Sequence, residues 1–249
     1  MLKLSLIKNI GKYFIFLRSM FTNCESLNIY IQQTLKECIL IGVNSIFIVS
    51  IVSSFMGAVT VIQTSYNLSN PLISNFVVGT ILRDMTILEL APTITAIVFA
   101  GKVGSNIAGE LGTMRIKEQI DALEVMGINS ISYLVLPKII ATILMYPLLV
   151  IIAGFLSIYG GFLTGTSMGL ISPENYIYGI RINFNTYTII FAIYKSLTFA
   201  FLISSISSYK GFYTSGGALE VGKSSTNAVT DSCIAILITD YFLARVLLN

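Results

Sequence analysis

Residues Gly101 to Gly127 read GKVGSNIAGELGTMRIKEQIDALEVMG and form a polar stretch between two long apolar blocks. From Thr113 onward the pattern predicts a short helix. Thr113 suits an N-cap, apolar residues recur at i, i+4 and i+7, and Gly127 suits a left-handed end. A helix of about 14 residues is marginal alone in water. We therefore expect the helix at residues 113–126 to lie against a partner or the bilayer surface.

The blocks on either side are typical of an integral membrane protein. The mean hydropathy is +0.83, and only 11% of the residues are charged, against about 25% in soluble domains. The 249 residues leave room for five or six spans of roughly 20 residues. The sequence therefore predicts an all-α, polytopic membrane protein with a single domain over residues 1–249. The net charge of +3 is too small to indicate nucleic-acid binding.

Several kinds of chemistry are excluded by the residue types. The chain has no histidine, which removes His-based metal sites, Ser–His triads and His proton relays. Its three cysteines, Cys24, Cys38 and Cys233, are scattered and include no C-x-x-C pair. Neither a disulfide framework nor a zinc site is indicated, and we expect no metal and no cofactor.

Five membrane spans are predicted, at residues 39–62, 76–108, 131–164, 187–208 and 228–248. Basic residues set their orientation. With the N-terminus inside, eleven lysines and arginines fall on or near the inner side and three toward the outside. The polar stretch then faces the compartment that holds ATP.

The segment before the bundle, residues 1–36, predicts an interfacial amphipathic helix. Lys8 and Lys12 lie opposite an apolar stripe made of Ile7, Ile10, Phe14, Leu17 and Phe21. A signal peptide is the alternative, but the apolar run is short and no A-x-A-like site follows it.

Small residues recur at four-residue spacing, which predicts close packing between helices. The sets are Gly101, Ser105, Gly109; Gly104, Ala108, Gly112; and Gly161, Gly165, Gly169.

One motif matches the P-loop pattern without its context. Residues Gly217 to Ser224 read GALEVGKS, but a phosphate-binding loop follows a strand and opens a helix within a soluble α/β sheet. Here predicted spans precede and follow the motif. We therefore do not expect Lys223 to bind ATP.

Two charged residues lie within predicted spans, where charges are costly and face a cavity or a partner. Lys195 is about nine residues into the fourth span, and Glu89 should reach a similar depth in the second. The pair could line a site for polar headgroups or form a buried structural ion pair. Arg83 and Asp84 lie nearer the outer surface, where an interfacial role is expected.

The same residues belong to a longer series of motifs that resembles a known family. The series is Glu89–Pro92 (ELAP), Ala100–Ser105 (AGKVGS), Glu110–Met114 (ELGTM) and Glu118–Gly127 (EQIDALEVMG). Later residues continue it in order: Lys195-Ser196, Gly211-x-Tyr213, Gly217-Ala218, Val221-Gly222 and Ser225-Thr226. Together they resemble the MlaE family of ABC-transporter permeases, which includes plastid lipid-transport permeases.

The resemblance implies a lipid transporter made of two copies of this chain, two ATPase subunits and an MCE-domain lipid-binding partner. The chain itself would be a transport subunit without a catalytic site, in contact with membrane lipids. Its predicted short helix would be the coupling helix that docks the ATPase, through Arg115, Lys117, Glu118, Asp121 and Glu124. Glu89 and Lys195 would line the lipid cavity.

The chain departs from the family at Leu88, where an arginine usually precedes the glutamate. Loss of that cation weakens the case for an anionic headgroup and favours a neutral one, such as that of a galactolipid precursor. Arg83, about one helical turn away, could substitute.

Two other functions compete with this interpretation. A secondary transporter or channel could use Glu89 and Lys195 in ion coupling, but it would need no docking helix and would be expected to show an internal repeat. A lipid-modifying enzyme would want a clustered nucleophile and base, for which a chain without histidine is poorly equipped.

The composition also bears on the source of the chain. It has 39 isoleucines, 14 alanines and no tryptophan, which indicates AT-rich coding of the kind found in plastid genomes. We predict a multi-pass protein of a plastid (chloroplast) envelope membrane, with a bacterial inner membrane as the alternative.

Overall fold

The computed structural model describes residues 2–22, 26–68 and 74–247, with the backbone alone at residues 2–10 and 247. Cys24, Pro71 and the side chains of Ile7, Lys8 and Ile10 therefore lie outside the described part. All regular structure within it is helical, which confirms the all-α prediction. The helices are α1 (Leu2–Ser19), α2 (Leu27–Asn67), α3 (Phe76–Ile116), α4 (Gln119–Val125), α5 (Ser130–Ser167), α6 (Pro173–Arg181), α7 (Tyr187–Phe212) and α8 (Ala218–Leu247).

Four of the described helices, α2, α3, α5 and α7, are long and apolar enough to cross a membrane. The 38 residues of α5 correspond to about 57 Å at 1.5 Å per residue. This exceeds the roughly 30 Å of a bilayer core, so α5 must tilt or extend beyond it. The fifth predicted span falls in α8, a helix of 30 residues that carries charges along its length. The prediction of a polytopic protein is confirmed, whereas the count of five spans stays a prediction.

Helices α2 and α3 contain π-helical segments, at Ile39–Val43, Thr86–Ile94 and Ala100–Gly104. The nine-residue segment Thr86–Ile94 includes Pro92. A proline inside a helix has no N–H to donate and crowds the preceding turn, and a wider π turn accommodates this. Because such a turn changes the spacing of side chains, it determines where Glu89 points.

The chain forms two compact units, each assembled from three stretches. The first unit comprises Met1–Asn44, Phe99–Met145 and Ala200–Ile236, and the second comprises Ser45–Val98, Tyr146–Phe199 and Leu237–Asn249.

The second unit depends on close backbone contact between α2 and α5. A Cβ atom on Gly57 would collide with the carbonyl of Ser157, and one on Gly160 would collide with the carbonyl of Ser54. Two glycines of the predicted set on α5, Gly161 and Gly165, face Val61 in the same way. The neighbouring apolar core consists of Val61, Val78, Leu82, Ile171 and Tyr176.

In the first unit, α1 packs through aromatic rings against the end of α7. Phe16 and Met20 are buried, and the Phe16 ring contacts those of Tyr209, Phe212 and Tyr213. Phe14 and Phe21, from the predicted interfacial stripe, are exposed. They are available to a bilayer surface, so the interfacial role of α1 stays a prediction.

The predicted helix at residues 113–126 is wrong at its start. Helix α3 continues to Ile116, and the Thr113 hydroxyl donates to the carbonyl of Gly109 rather than capping a new helix. The chain breaks at Glu118, whose φ is +59°, and α4 begins at Gln119. Tertiary packing explains the extension, since Gly112 lies against Thr214 and Val221 and holds α3 helical. The left-handed end at Gly127, with φ +79°, is confirmed.

Candidate functional site

The predicted contact between Glu89 and Lys195 forms within the second unit. Lys195 is fully buried, and its Nζ atom lies 3.0 Å from Oε1 of Glu89. The same atom lies 2.5 Å from Oδ1 of Asp240 and 2.8 Å from the carbonyl oxygen of Leu88. An ammonium group has three N–H donors, so these three acceptors satisfy all of them.

The backbone of α3 supplies the third acceptor. In an α-helical turn the carbonyl of Leu88 would accept the N–H at position 92, which Pro92 does not have. Lys195 donates to that carbonyl instead. The carbonyl of Pro92 accepts the hydroxyl of the buried Tyr146 at 2.6 Å. Pro92 therefore cannot compete with Lys195 for the carbonyl of Leu88.

The two carboxylates differ in their access to the surroundings. The side chain of Asp240 is 16% exposed and that of Glu89 is 48% exposed. The hydroxyl of Thr93 donates to Oε2 of Glu89 at 3.1 Å, with Oδ1 of Asp240 at 3.4 Å as a second acceptor. With one ammonium and two carboxylates, the cluster of Glu89, Lys195 and Asp240 has a formal charge of −1.

Sequence reasoning missed Asp240. It falls toward the end of the fifth predicted span and was not assigned to Lys195 as a partner. The sequence around it, ILITDYFL, could have indicated its role, because apolar residues stand on both sides of a single charged residue. An isolated charge in such a run needs a partner, and Lys195 is that partner.

An apolar cavity of about 220 Å³ lies in the same unit. Its walls include Ile87 and Ala91, two residues on either side of Glu89, and Ile193 and Ser196, which flank Lys195 closely in sequence. Helix α5 completes the lining with Val150, Ile151, Gly154 and neighbouring side chains. None of the three cluster residues lines the cavity, and residues two positions apart on a helix do not face each other, so the cavity and the charged cluster lie on different faces of α3 and α7.

Arg83 does not take the place of the missing family arginine. Its side chain is buried, with Nε donating to Oδ1 of Asp84 at 2.8 Å. Nη1 donates to the carbonyls of Ile180 and Ile182 at 3.0 and 2.6 Å. These contacts tie α3 to the end of α6, which is a structural role.

The residues predicted to dock the ATPase fall into two groups in the first unit. Nη1 of Arg115 lies 2.6 Å from Oδ1 of Asp121, and its guanidinium lies over the Phe212 ring at 5.9 Å. Oε1 of Glu124 accepts the hydroxyl of Ser130 at 2.9 Å. These three side chains hold α4 in place.

Lys117 and Glu118, by contrast, are exposed. Sequence reasoning missed an apolar tip beside them, where Val125 and Met126 are 88% and 65% exposed. An exposed apolar surface rimmed by charges marks an interaction site when it forms a contiguous patch, which makes this tip a candidate.

A second buried ion cluster was also missed. Lys138 on α5 is buried, and its Nζ atom lies 2.6 Å from Oε1 of Glu37 and 2.8 Å from Oε2 of Glu110. It therefore joins α2, α3 and α5 within the first unit. In the sequence Lys138 counted only among the eleven basic residues on or near the inner side.

The P-loop motif does not form a phosphate-binding loop. Most of it lies in the first turns of α8, where Lys223 pairs with Glu220 at 2.7 Å, three residues earlier. Ser224 donates to the carbonyl of Lys210. This geometry supports the sequence-based rejection of an ATP site.

Comparison with known proteins gives one consistent result. The family model described as Permease MlaE matches residues 34–246. A Rickettsia bellii protein named "Probable ABC transporter permease protein" is 34% identical over 240 residues, covering 96% of this chain and 92% of its own. A Synechocystis protein named "Probable ABC transporter permease protein slr1045" is 37% identical over 214 residues, covering 86% and 81%.

A plant protein is also similar. The Arabidopsis thaliana protein named "TRIGALACTOSYLDIACYLGLYCEROL 1, chloroplastic" is 36% identical over 226 residues, covering 87% of this chain and 61% of its own. Together with the membrane-spanning helices, this relative supports the predicted place as a multi-pass protein of a plastid membrane, and a bacterial membrane fits as well. The family model matches most of the length of the chain, and the relatives above are at least 34% identical to it. The chain therefore belongs to the MlaE permease family.

Proposed function

We propose that the chain is the permease subunit of an ABC transporter that moves glycerolipids between membranes, powered by a separate ATPase subunit. The proposed location is the plastid envelope. The proposal draws on the family, on relatives named as ABC transporter permeases and on a chloroplastic relative named after a galactosylated diacylglycerol.

The observation that carries the proposal is the charged cluster within the apolar helices of the second unit, which keeps one carboxylate half exposed. A glycerolipid has a polar headgroup joined to apolar chains, so its site needs both surfaces close together. Glu89 offers a half-exposed carboxylate, and exposed apolar side chains lie about one turn before Glu89 on α3, at Met85, and before Asp240 on α8, at Leu237. Charged residues inside spans mark substrate or ion pathways.

The proposed ATPase contact is the surface formed by Lys117, Glu118, Val125 and Met126 at the ends of α4. These side chains are exposed, whereas Arg115, Asp121 and Glu124 make contacts within the chain. A second copy of the chain and an MCE-domain protein complete the proposed assembly, on the strength of the family resemblance.

Reconstitution tests the proposal. The chain is co-expressed with the ATPase that co-purifies with it, and the complex is placed in donor vesicles that contain a labelled glycerolipid. We expect transfer to acceptor vesicles that requires ATP and stops in the Lys195→Ala variant, with Lys223→Ala as a matched control at an exposed lysine. Transport driven by an ion gradient without ATP would instead identify a secondary transporter or channel.

A further inference from the structure

The charged cluster of the second unit has no cationic donor left for a ligand. The three N–H donors of Lys195 face the carbonyl of Leu88 and the carboxylates of Glu89 and Asp240. An anionic headgroup would have to displace one of these acceptors and approach a cluster whose formal charge is already −1. Like charges within hydrogen-bond distance repel each other, and they do so more strongly near a protein surface than in bulk water.

The other basic residues of the second unit do not supply a cation to the charged cluster. Its sequence contains three besides Lys195: Arg83, Arg181 and Arg245. Arg83 is committed to Asp84 and to two carbonyls. Arg181 is exposed at the end of α6. Arg245 is exposed five residues after Asp240, which turns it about 140° around α8, away from the aspartate.

The free capacity of the cluster is for accepting hydrogen bonds. A carboxylate has about four lone-pair sites. At Glu89, Lys195 takes one at Oε1 and Thr93 takes one at Oε2. The side chain is 48% exposed, so the remaining sites are open to a donor. Hydroxyl groups are uncharged donors of this kind, whereas a fully ionised phosphate offers acceptors alone.

We infer that this cluster selects glycerolipids with an uncharged, hydroxyl-bearing headgroup and disfavours those with an anionic phosphate headgroup. The inference rests on the proposed lipid-transport function and names the substrate class of the same site. Glu89 is then the residue that accepts headgroup hydroxyls, while Asp240 holds the charge of Lys195.

The test compares headgroups in the complete transporter complex. Vesicles contain monogalactosyl diacylglycerol, phosphatidic acid or phosphatidylcholine with identical acyl chains, and ATP-dependent transfer of each lipid is measured. We expect the galactosyl lipid to be transferred at least tenfold faster than phosphatidic acid and faster than phosphatidylcholine. If either phospholipid matches or exceeds it, the inference is overturned while the transport function stands. If no lipid is transferred with ATP, the proposed function itself fails.

A gain-of-function variant sharpens the test. Leu88→Arg adds a cation beside the cluster and brings its formal charge to zero, so the preference should shift at least tenfold toward phosphatidic acid. Tyr66→Arg, at an exposed position of the same unit, adds the same charge elsewhere and should leave the preference unchanged. An unchanged preference in a Leu88→Arg variant that still binds its ATPase contradicts the inference. The comparison of headgroups in the unmodified chain does not depend on the folding of any variant.

Discussion

Asp240 is a closer counter-ion of Lys195 than Glu89 is. Its Oδ1 atom lies 2.5 Å from Nζ, against 3.0 Å for Oε1 of Glu89, and its side chain is the less exposed of the two. The two carboxylates therefore have separable roles. Asp240 balances the buried ammonium, and Glu89 is left half open to its surroundings.

Neutralising the two carboxylates one at a time should distinguish these roles. Asp240→Asn should lower the free energy of unfolding by about 3 kcal/mol, the lower end of what breaking a buried pair costs, because Glu89 still contacts Lys195. Glu89→Gln should cost less than about 1 kcal/mol, as is usual for an exposed partner of an ion pair, and should slow lipid transfer more strongly. Chemical unfolding in detergent and vesicle transfer measure the two effects. A larger stability loss for Glu89→Gln would reverse the assignment.

Complete removal of the cluster distinguishes a ligand site from a structural ion pair. Replacing Glu89 and Lys195 with leucine would leave Asp240 without its counter-ion, so the informative variant is the triple change to leucine. Well-packed apolar residues in place of a buried ion cluster are often neutral or stabilising. We therefore expect near-normal stability and a loss of lipid transfer and of co-purifying lipid. Full transfer by the triple variant would show that the cluster is only structural.

The exposed part of the α4 region should control ATPase binding. Glu118→Lys should reduce the ATPase that co-purifies with the chain and change stability by less than about 0.5 kcal/mol, as is usual for a surface change. Met126→Asp should have the same effect by removing part of the apolar tip. Asp121→Lys should in addition destabilise the docking of α4, since it breaks the contact with Arg115. Normal ATPase recovery in the first two variants would contradict the proposed surface.

Lys138 should matter for stability in the first unit. Lys138→Met leaves the carboxylates of Glu37 and Glu110 without their shared cation and should cost about 3–5 kcal/mol. Lys210→Met is the matched control, because the pair that Lys210 forms with Asp231 is partly exposed on both sides and should be worth less than about 1 kcal/mol. Equal losses of unfolding free energy in the two variants would show that burial does not determine the contribution of Lys138 to stability.

The P-loop motif should have no nucleotide chemistry. The permease without its partners should bind no ATP analogue, because the motif lies in the first turns of α8 and Lys223 contacts Glu220. Equilibrium dialysis with a labelled analogue checks this. Saturable binding that disappears in Lys223→Ala would overturn the prediction.

What the sequence predicted well depended on local pattern. The all-α fold followed from long apolar stretches, and the family followed from motifs around Glu89 and Lys195. Their contact followed from their equal depth in two spans. What it missed depended on tertiary contacts. Asp240 joins the cluster from α8, far along the chain. Thr113 has the residue type of an N-cap, but packing of Gly112 against Thr214 and Val221 carries α3 past it.

The absence of side chains at Gly57 and Gly160 limits how the second unit can move. The carbonyls of Ser157 and Ser54 occupy the space where their Cβ atoms would be, so α2 and α5 interlock backbone to backbone at two heights. Sliding one helix past the other would drive larger neighbouring side chains into these gaps. In the proposed transport cycle we therefore expect the contacting parts of α2 and α5 to move together within this unit. Relative movement within this unit is therefore expected at helices other than this pair.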